Sequence, residues 1–105
     1  MESLPRAWAT AQGDSTPAVL IKSVGVSALT DNGTGDYTLT WQRAFFATDY
    51  VVAGFGKSVA DNGDGAVGLT NLDAPTSTSA RFVTYTTNND AVDLPYWHAI
   101  AVGRI

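Results

Sequence analysis

The chain of 105 residues is long enough for one domain, since a chain of this size buries about two-thirds of its unfolded surface in a single modest core. Ten acidic residues outnumber six basic ones, and the bases form no cluster, which argues against a nucleic-acid partner. The absence of cysteine excludes disulfides, thiolate metal sites and thiol catalysis, and we expect no cofactor.

The N-terminal residues form neither the apolar core of a signal peptide nor a membrane-spanning segment, and no later apolar run is long enough to cross a membrane. We therefore expect no membrane insertion. Residues 1–17 contain two prolines and a glycine, and we predict that they form an extended N-terminal arm. A single β domain is then expected over residues 18–105.

Short runs rich in threonine, valine and aromatic residues alternate with turn residues along the chain, and no amphipathic helical stripe of useful length occurs. The predicted strands, in chain order, lie within residues 6–11, 18–29, 36–41, 49–59, 66–71, 79–87 and 96–105. Such spacing is typical of sandwiches and barrels. The sequence therefore predicts an all-β fold, an antiparallel β-sandwich or barrel-like domain of about seven strands.

Two predicted strands carry the most information about which side chains point inward. In residues 36–41, Tyr37, Leu39 and Trp41 alternate with threonines, so we expect these three in the core. In residues 96–105 both faces are apolar, so we expect one face in the core and the other against a second molecule. The residues predicted at an oligomer interface are Trp8, Tyr96, Trp97, His98, Ile100 and Val102.

Two glycine-rich loops, within residues 29–38 and 59–70, share the sequence Asp-Asn-Gly. Asn-Gly pairs suit the positive φ angles of hairpin turns, which explains most of the similarity between the loops. The aspartates do not follow the alternating ligand spacing of a calcium loop, so we predict no metal in either loop, and a calcium ion held across both loops is left open. The predicted turn residues are Asn32, Gly33, Gly35, Asn62, Gly63 and Gly65.

The sequence shows no catalytic motif. His98 is the single histidine, it lies among apolar residues of the last strand, and no Gly-x-Ser-x-Gly segment accompanies it. We interpret it as a structural histidine in a core or subunit contact, and we predict that the protein is not an enzyme.

The aromatic residues offer an alternative function. Three tryptophans and four tyrosines are many for this length, and exposed rings stack on the faces of sugars. Under this alternative the chain is a carbohydrate-binding module that recognises bacterial surface glycans. The candidate glycan contacts are the loop residues Asn71, Asp73, Asn88, Asn89 and Asp90.

Residues 26–39, VSALTDNGTGDYTL, resemble the segment S-S-I-T-D-N-G-T-G-D-Y-T-V of small structural proteins of tailed-phage virions, of the tail-fibre and spike type. The resemblance extends to Arg6-Ala7-Trp8, Phe46 and residues 49–52, and ends near Gly54. It implies a non-enzymatic virion protein made in the host cytoplasm, a module of a tail fibre, spike or head decoration. Such modules are commonly homotrimers, so the expected partners are further copies of the chain, other virion proteins and a host surface glycan.

Overall fold

The computed structural model describes residues 4–57, 66–69, 74–85 and 91–104. These residues form eight β-strands and contain no helix, so no helix among them can cross a membrane. The prediction of an all-β fold is confirmed. The strands are β1 (Leu4–Gln12), β2 (Val19–Val24), β3 (Val26–Gly33), β4 (Asp36–Trp41), β5 (Val51–Lys57), β6 (Ala66–Leu69), β7 (Ser79–Tyr85) and β8 (Tyr96–Gly103).

The strands form two four-stranded sheets in which every pairing is antiparallel. Sheet A has the order β2-β1-β8-β5, and sheet B has the order β3-β4-β7-β6. Alternate residues of each strand point to opposite faces, so each sheet has one inner and one outer face. The inner faces share one hydrophobic core, which is the sandwich arrangement that the sequence predicted.

The first predicted strand is a full member of sheet A. β1 pairs with β2 on one side and with β8 on the other, so residues 4–12 are extended, as predicted, but lie within the domain rather than in an arm outside it. Ala7, Ala9 and Ala11 point inward and are buried. The arm was predicted from Pro5, Gly13 and Pro17, of which Pro5 lies within β1 and the other two lie in the connection from β1 to β2.

The longest predicted strand, within residues 18–29, is two strands in the structure. β2 ends at Val24 and β3 begins at Val26, and the two strands belong to different sheets. Gly25 between them has a φ of 72°, a left-handed conformation that glycine adopts without steric cost. The chain therefore passes from one sheet to the other at this glycine, and eight strands appear where seven were predicted.

The core combines small side chains from sheet A with large ones from sheet B. The inward positions of β1 and β8 are mainly alanine, whereas sheet B contributes Tyr37, Leu39, Trp41 and Phe82. The predicted burial of the three β4 residues is confirmed. Trp97 is the large side chain of sheet A, and its ring centroid lies 5.1 Å from that of Tyr37 and 5.9 Å from that of Phe82. Burial of each such side chain stabilises the fold by roughly 1.5–3 kcal/mol.

An aromatic cluster closes one end of the sandwich. The rings of Phe45 and Tyr50 stack with centroids 4.1 Å apart, and Trp41 packs edge-on against both. Trp41 Nε1 donates a hydrogen bond of 2.9 Å to the Tyr50 hydroxyl, which lies 2.8 Å from the carbonyl oxygen of Thr76. The connection from β4 to β5 is therefore fixed to the core by its rings.

A buried polar cluster closes the other end. The Tyr37 hydroxyl donates to Asp93 Oδ1 at 2.8 Å, and the Gly35 backbone N–H donates to the same oxygen at 2.7 Å. The backbone N–H of Thr84 donates to the Gly35 carbonyl, and the Thr84 hydroxyl donates to the carbonyl of Val92. These bonds join the β3–β4 turn, β7 and the segment before β8, so the buried hydroxyls of Tyr37 and Thr84 have hydrogen-bond partners.

Tyr37 gives this cluster a pH dependence. Burial, reinforced by the bond to Asp93, raises the pKa of Tyr37 above its ordinary value of 10.0. A phenol that holds its proton more tightly in the folded state contributes stability that is fully present below the ordinary pKa and is lost as the pH rises through the folded-state pKa. We therefore expect the free energy of unfolding to fall above about pH 10.

Tyr37→Phe tests this expectation by urea denaturation at neutral and alkaline pH. The variant should lose about 1–2 kcal/mol at neutral pH, because Asp93 loses a donor, and its alkaline fall should be shallower. Burial also raises the pKa of Tyr50, so part of the fall remains. Tyr85→Phe changes the outer face of sheet B and serves as the control. An alkaline slope in Tyr37→Phe as steep as in the wild type would contradict the assignment.

Candidate functional site

The two outer faces of the sandwich differ in polarity. On sheet B, the polar side chains of the two central strands that point outward are Asp36, Thr38, Thr40, Ser79 and Arg81. On sheet A, the outward positions of the two central strands carry Trp8, Thr10, Gln12, Tyr96, His98, Ile100 and Val102. A face of aromatic and branched aliphatic side chains is unusual in contact with water and marks a surface for interaction.

Strand register brings the side chains of this face together. β1 pairs with β8 so that Trp8 stands opposite Ile100 and Thr10 stands opposite His98. β5 pairs with β8 on the other side, which places Phe55 opposite His98. Opposite residues of neighbouring strands lie about 5 Å apart and contact each other on one face. Phe55 is 71% exposed and Trp8 is 37% exposed, so both rings are accessible on the folded chain.

A groove of about 240 Å³ runs across the middle of this face, and we call it the His98 groove. The large side chains that line it are Trp8, Phe55 and Ile100, and Thr10, Ala53 and His98 line it with them. His98 Nδ1 lies 2.9 Å from the Thr10 hydroxyl oxygen, so the two side chains share one hydrogen bond. The groove is therefore apolar apart from this one pair.

Five of the six residues predicted at an oligomer interface lie on this face; they are Trp8, Tyr96, His98, Ile100 and Val102. The prediction for Trp97 is wrong, because its side chain points into the core and is fully buried within one chain. Alternate residues of a strand point to opposite faces, so Trp97 and its two neighbours cannot share a surface.

Sequence reasoning missed the contribution of β5 to this face. Val51, Ala53 and Phe55 point outward beside β8, and Val24 of β2 stands opposite Trp8 at the far side. The alternation of Ala53 and Phe55 with Gly54 and Gly56 is visible in the sequence. That β5 neighbours β8 is a non-local pairing, for which the sequence carries no local signal.

The β3–β4 turn lies two residues later than the predicted position at the Asn-Gly pair. Gly33 pairs with Asp36, so Thr34 and Gly35 form the turn, and Asn32 stands at a bulge near the end of β3. Both predicted glycines of this loop have positive φ, 136° for Gly33 and 63° for Gly35, as expected for turn residues. The predicted turn residues of the second loop, Asn62, Gly63 and Gly65, lie outside the described residues.

The carboxylates of the first loop accept hydrogen bonds from the protein. Asp31 accepts from the backbone N–H groups of Ala18 and Gly33, at 2.9 and 3.1 Å. Asp36 accepts from both Nε and a terminal nitrogen of Arg81, which holds the pKa of Asp36 below its ordinary value. Within the described ranges no three His, Asp or Glu side chains are grouped as metal ligands. The second loop is outside those ranges, so the hypothesis of calcium across both loops is untested.

A second cleft, of about 280 Å³, lies beside the end of β8. The Phe46 ring is 70% exposed there, and the guanidinium carbon of Arg104 lies 4.7 Å from its centroid. Asp49 lines the same cleft. The sequence-predicted glycan residues Asn71, Asp73, Asn88, Asn89 and Asp90 lie outside the described residues, so they remain predictions.

Comparison of the chain with protein-family models, with curated proteins and with solved structures gives no match in any of the three. The class that the structure defines is a small all-β sandwich with one outer face that is mainly polar and one that is mainly apolar.

Proposed function

We propose that this chain is a non-enzymatic structural protein of a bacteriophage virion, a homotrimeric β module of a tail fibre, spike or head decoration. The observation that carries the proposal is the apolar outer face of sheet A. Self-association through this face removes its rings and aliphatic side chains from water, which is the main driving force of obligate protein interfaces.

The assignment to a virion is supported by residues 26–39, whose sequence resembles that of tailed-phage structural proteins. The corresponding residues form β3, the turn and β4, which fold into one hairpin at the side of the sandwich. This hairpin lies in sheet B, so the resembling segment and the apolar face occupy different sheets. In the proposed assembly, the outer faces of sheet A meet at the centre, and the polar outer faces of sheet B are displayed on the outside.

The mass of the particle in solution tests the proposal. Light scattering coupled to size exclusion, at micromolar concentration, should give three times the chain mass of 11.0 kDa. A monomer would contradict the self-assembly on which the proposal depends. Analysis of purified virions for this chain by mass spectrometry tests the location separately.

Phe55→Glu should convert the trimer to a monomer. Phe55 is exposed on the folded chain, so the variant is expected to fold, but assembly would bury a carboxylate against apolar side chains, at a cost of several kcal/mol. Thr40→Glu is a control, because Thr40 is on β4 of sheet B and points outward on the opposite side of the sandwich. Dissociation of both variants, or of neither, would show that the outer face of sheet A is not the interface.

Glycan binding is the second candidate, and the cleft at Phe46 favours it. An exposed ring beside a guanidinium and a carboxylate offers stacking and charged hydrogen bonds to a sugar. An array of bacterial surface glycans tests this candidate. Binding that Phe46→Ala abolishes and Phe55→Ala preserves would assign it to the cleft.

A further inference from the structure

Exposed arginines lie at the end of the sandwich that the rings of Trp41, Phe45 and Tyr50 close, which we call the aromatic end. Arg43 comes two residues after the last residue of β4, and Arg104 directly follows β8. The acidic residues that the structure describes lie mainly towards the opposite end; they are Asp14, Asp31, Asp36 and Asp93, whereas Asp49 lies at the aromatic end. The described structure is therefore more basic at this end, although the net charge of the chain is −4.

Each arginine lines a cleft that also contains an aromatic ring. Arg104 lines the cleft of about 280 Å³ at Phe46, and Arg43 lines a cleft of about 210 Å³ with Trp41 and Phe45. Phe45 and Phe46 are consecutive residues of the connection from β4 to β5, so the two clefts lie next to each other. A single extended ligand can therefore contact both.

The guanidinium groups at this end are available to a ligand. In the part of the chain that the structure describes, neither Arg43 nor Arg104 forms a side-chain hydrogen bond or an ion pair. Arg104 packs against the Phe46 ring, 4.7 Å from its centroid, which positions the charge without neutralising it. A guanidinium presents a planar set of N–H donors that matches a carboxylate or a phosphate. Both arginines therefore suit an anionic group.

The walls of the clefts are held in place by the protein itself. The backbone N–H of Phe45 donates to the carbonyl of Ser77 at 2.8 Å, and that of Phe46 donates to the carbonyl of Arg104 at 2.6 Å. The ring of Phe45 stacks on that of Tyr50, with centroids 4.1 Å apart. Binding to walls that are already ordered costs less conformational entropy, which favours affinity.

We propose that the aromatic end binds an acidic polysaccharide, whose anionic groups contact Arg43 and Arg104 and one of whose sugar rings stacks on Phe46. This inference rests on the glycan-binding candidate above and names its class of ligand. Asp49 favours a sugar over a simple polyanion, because its carboxylate lines the cleft of Arg104, repels an anion and accepts hydrogen bonds from hydroxyl groups. A ligand that fits this cleft therefore carries hydroxyl groups beside its charge, as acidic sugars do.

Isothermal titration calorimetry of the full chain with two acidic polysaccharides tests the inference. Polygalacturonate carries carboxylates and phosphomannan carries phosphates, so the two probes distinguish the source of the anionic group. Unphosphorylated mannan is the neutral control, and polyglutamate is an anionic polymer without sugar. The chain should bind at least one acidic polysaccharide, and should bind mannan and polyglutamate about tenfold more weakly or less.

Exposed side chains provide the variants, so the variants are expected to fold. Arg43→Gln and Arg104→Gln should each weaken binding by about tenfold, because each removes charged hydrogen bonds. Lys22→Gln is the matched control, since it also removes one positive charge but at a residue of β2 that lines neither cleft. Asp49→Asn makes the end more positive, yet should weaken binding, because an amide oxygen accepts hydrogen bonds from hydroxyl groups less strongly than a carboxylate does.

The outcomes distinguish this inference from the glycan-binding candidate. Binding of neutral glycans that Phe46→Ala abolishes, without binding of either acidic polysaccharide, overturns the inference and supports the candidate. Failure to bind any glycan overturns both and leaves the proposed virion trimer unaffected. The inference also fails if polyglutamate binds as tightly as the acidic polysaccharides, if Asp49→Asn binds more tightly than the wild type, or if Lys22→Gln loses as much affinity as the arginine variants.

Discussion

Gly35→Ala is expected to lower the free energy of unfolding by about 3–4 kcal/mol, the sum of two effects. Gly35 has a φ of 63°, which an alanine adopts only with strain. A Cβ atom there would also lie 2.5 Å from the carbonyl oxygen of Thr84 and 2.8 Å from the backbone nitrogen of Val92. These are backbone atoms, so relief requires movement of β7 or of the segment before β8. A loss of this size is a large part of the stability of a small domain.

Two further glycine variants separate the effects. Gly33→Ala introduces strain alone, because φ is 136° and no atom lies within 4 Å of the added Cβ. Gly13→Ala introduces close contact alone, since φ is not positive there and the Cβ would lie 2.5 Å from the carbonyl oxygen of Leu94 and 2.7 Å from the Tyr37 hydroxyl. Urea denaturation at one protein concentration should rank Gly35→Ala as the most destabilised of the three. An equal loss in Gly33→Ala would show that the contacts with Thr84 and Val92 are unimportant.

Trp97→Ala is expected to cost about 3–5 kcal/mol, because it leaves a cavity between the sheets. The inner positions beside Trp97 on β1 and β8 are alanines, whose short side chains cannot reach into the space that the indole fills. The rings of Tyr37 and Phe82 would each lose their contact with it. Thermal and urea unfolding measure the loss, and a cost below about 1 kcal/mol would contradict the described core.

A comparison of two conservative variants tests the polar part of the same side chain. Among the described residues Trp97 Nε1 has no hydrogen-bond partner, whereas Trp41 Nε1 donates to the Tyr50 hydroxyl. Trp97→Phe therefore removes an unsatisfied N–H group, and Trp41→Phe breaks a bond, although the change in side-chain volume is the same. Trp41→Phe is expected to cost about 1 kcal/mol more. A larger loss of stability in Trp97→Phe than in Trp41→Phe would show that Trp97 Nε1 has a hydrogen-bond partner.

Local alternation accounts for what the sequence predicted correctly. The β4 pattern of Tyr37, Leu39 and Trp41 identified buried positions because large apolar residues alternate there with threonine. The same period of two explains why Trp97 points into the core while its neighbours Tyr96 and His98 point outward. Residues 1–17 were predicted as an arm because they contain two prolines and a glycine, but Gly13 and Pro17 lie in the connection from β1 to β2, and β1 itself pairs within sheet A.

Non-local pairing accounts for what the sequence did not give. Phe55 belongs to the candidate site because β5 lies beside β8, and the break at Gly25 matters because β2 and β3 enter different sheets. Neither of these features can be predicted from a short stretch of the sequence. The Tyr37–Asp93 bond likewise joins positions 56 residues apart. Side chains that meet only after the sheets have formed cannot be paired from spacing alone.

The central pairing of sheet A has a consequence for how the chain acquires its fold in a cell. β1 pairs with β2 on one side and with β8 on the other, where Trp8 stands opposite Ile100. β1 is therefore synthesised long before one of its two partner strands. Sheet A can form fully only after β8 has emerged from the ribosome, whereas the β3–β4 hairpin joins neighbouring residues and can form much earlier. Until then the alanine face of β1 and its outward Trp8 stay uncovered on the nascent polypeptide. Chaperones that bind extended apolar segments during translation would meet this chain at β1.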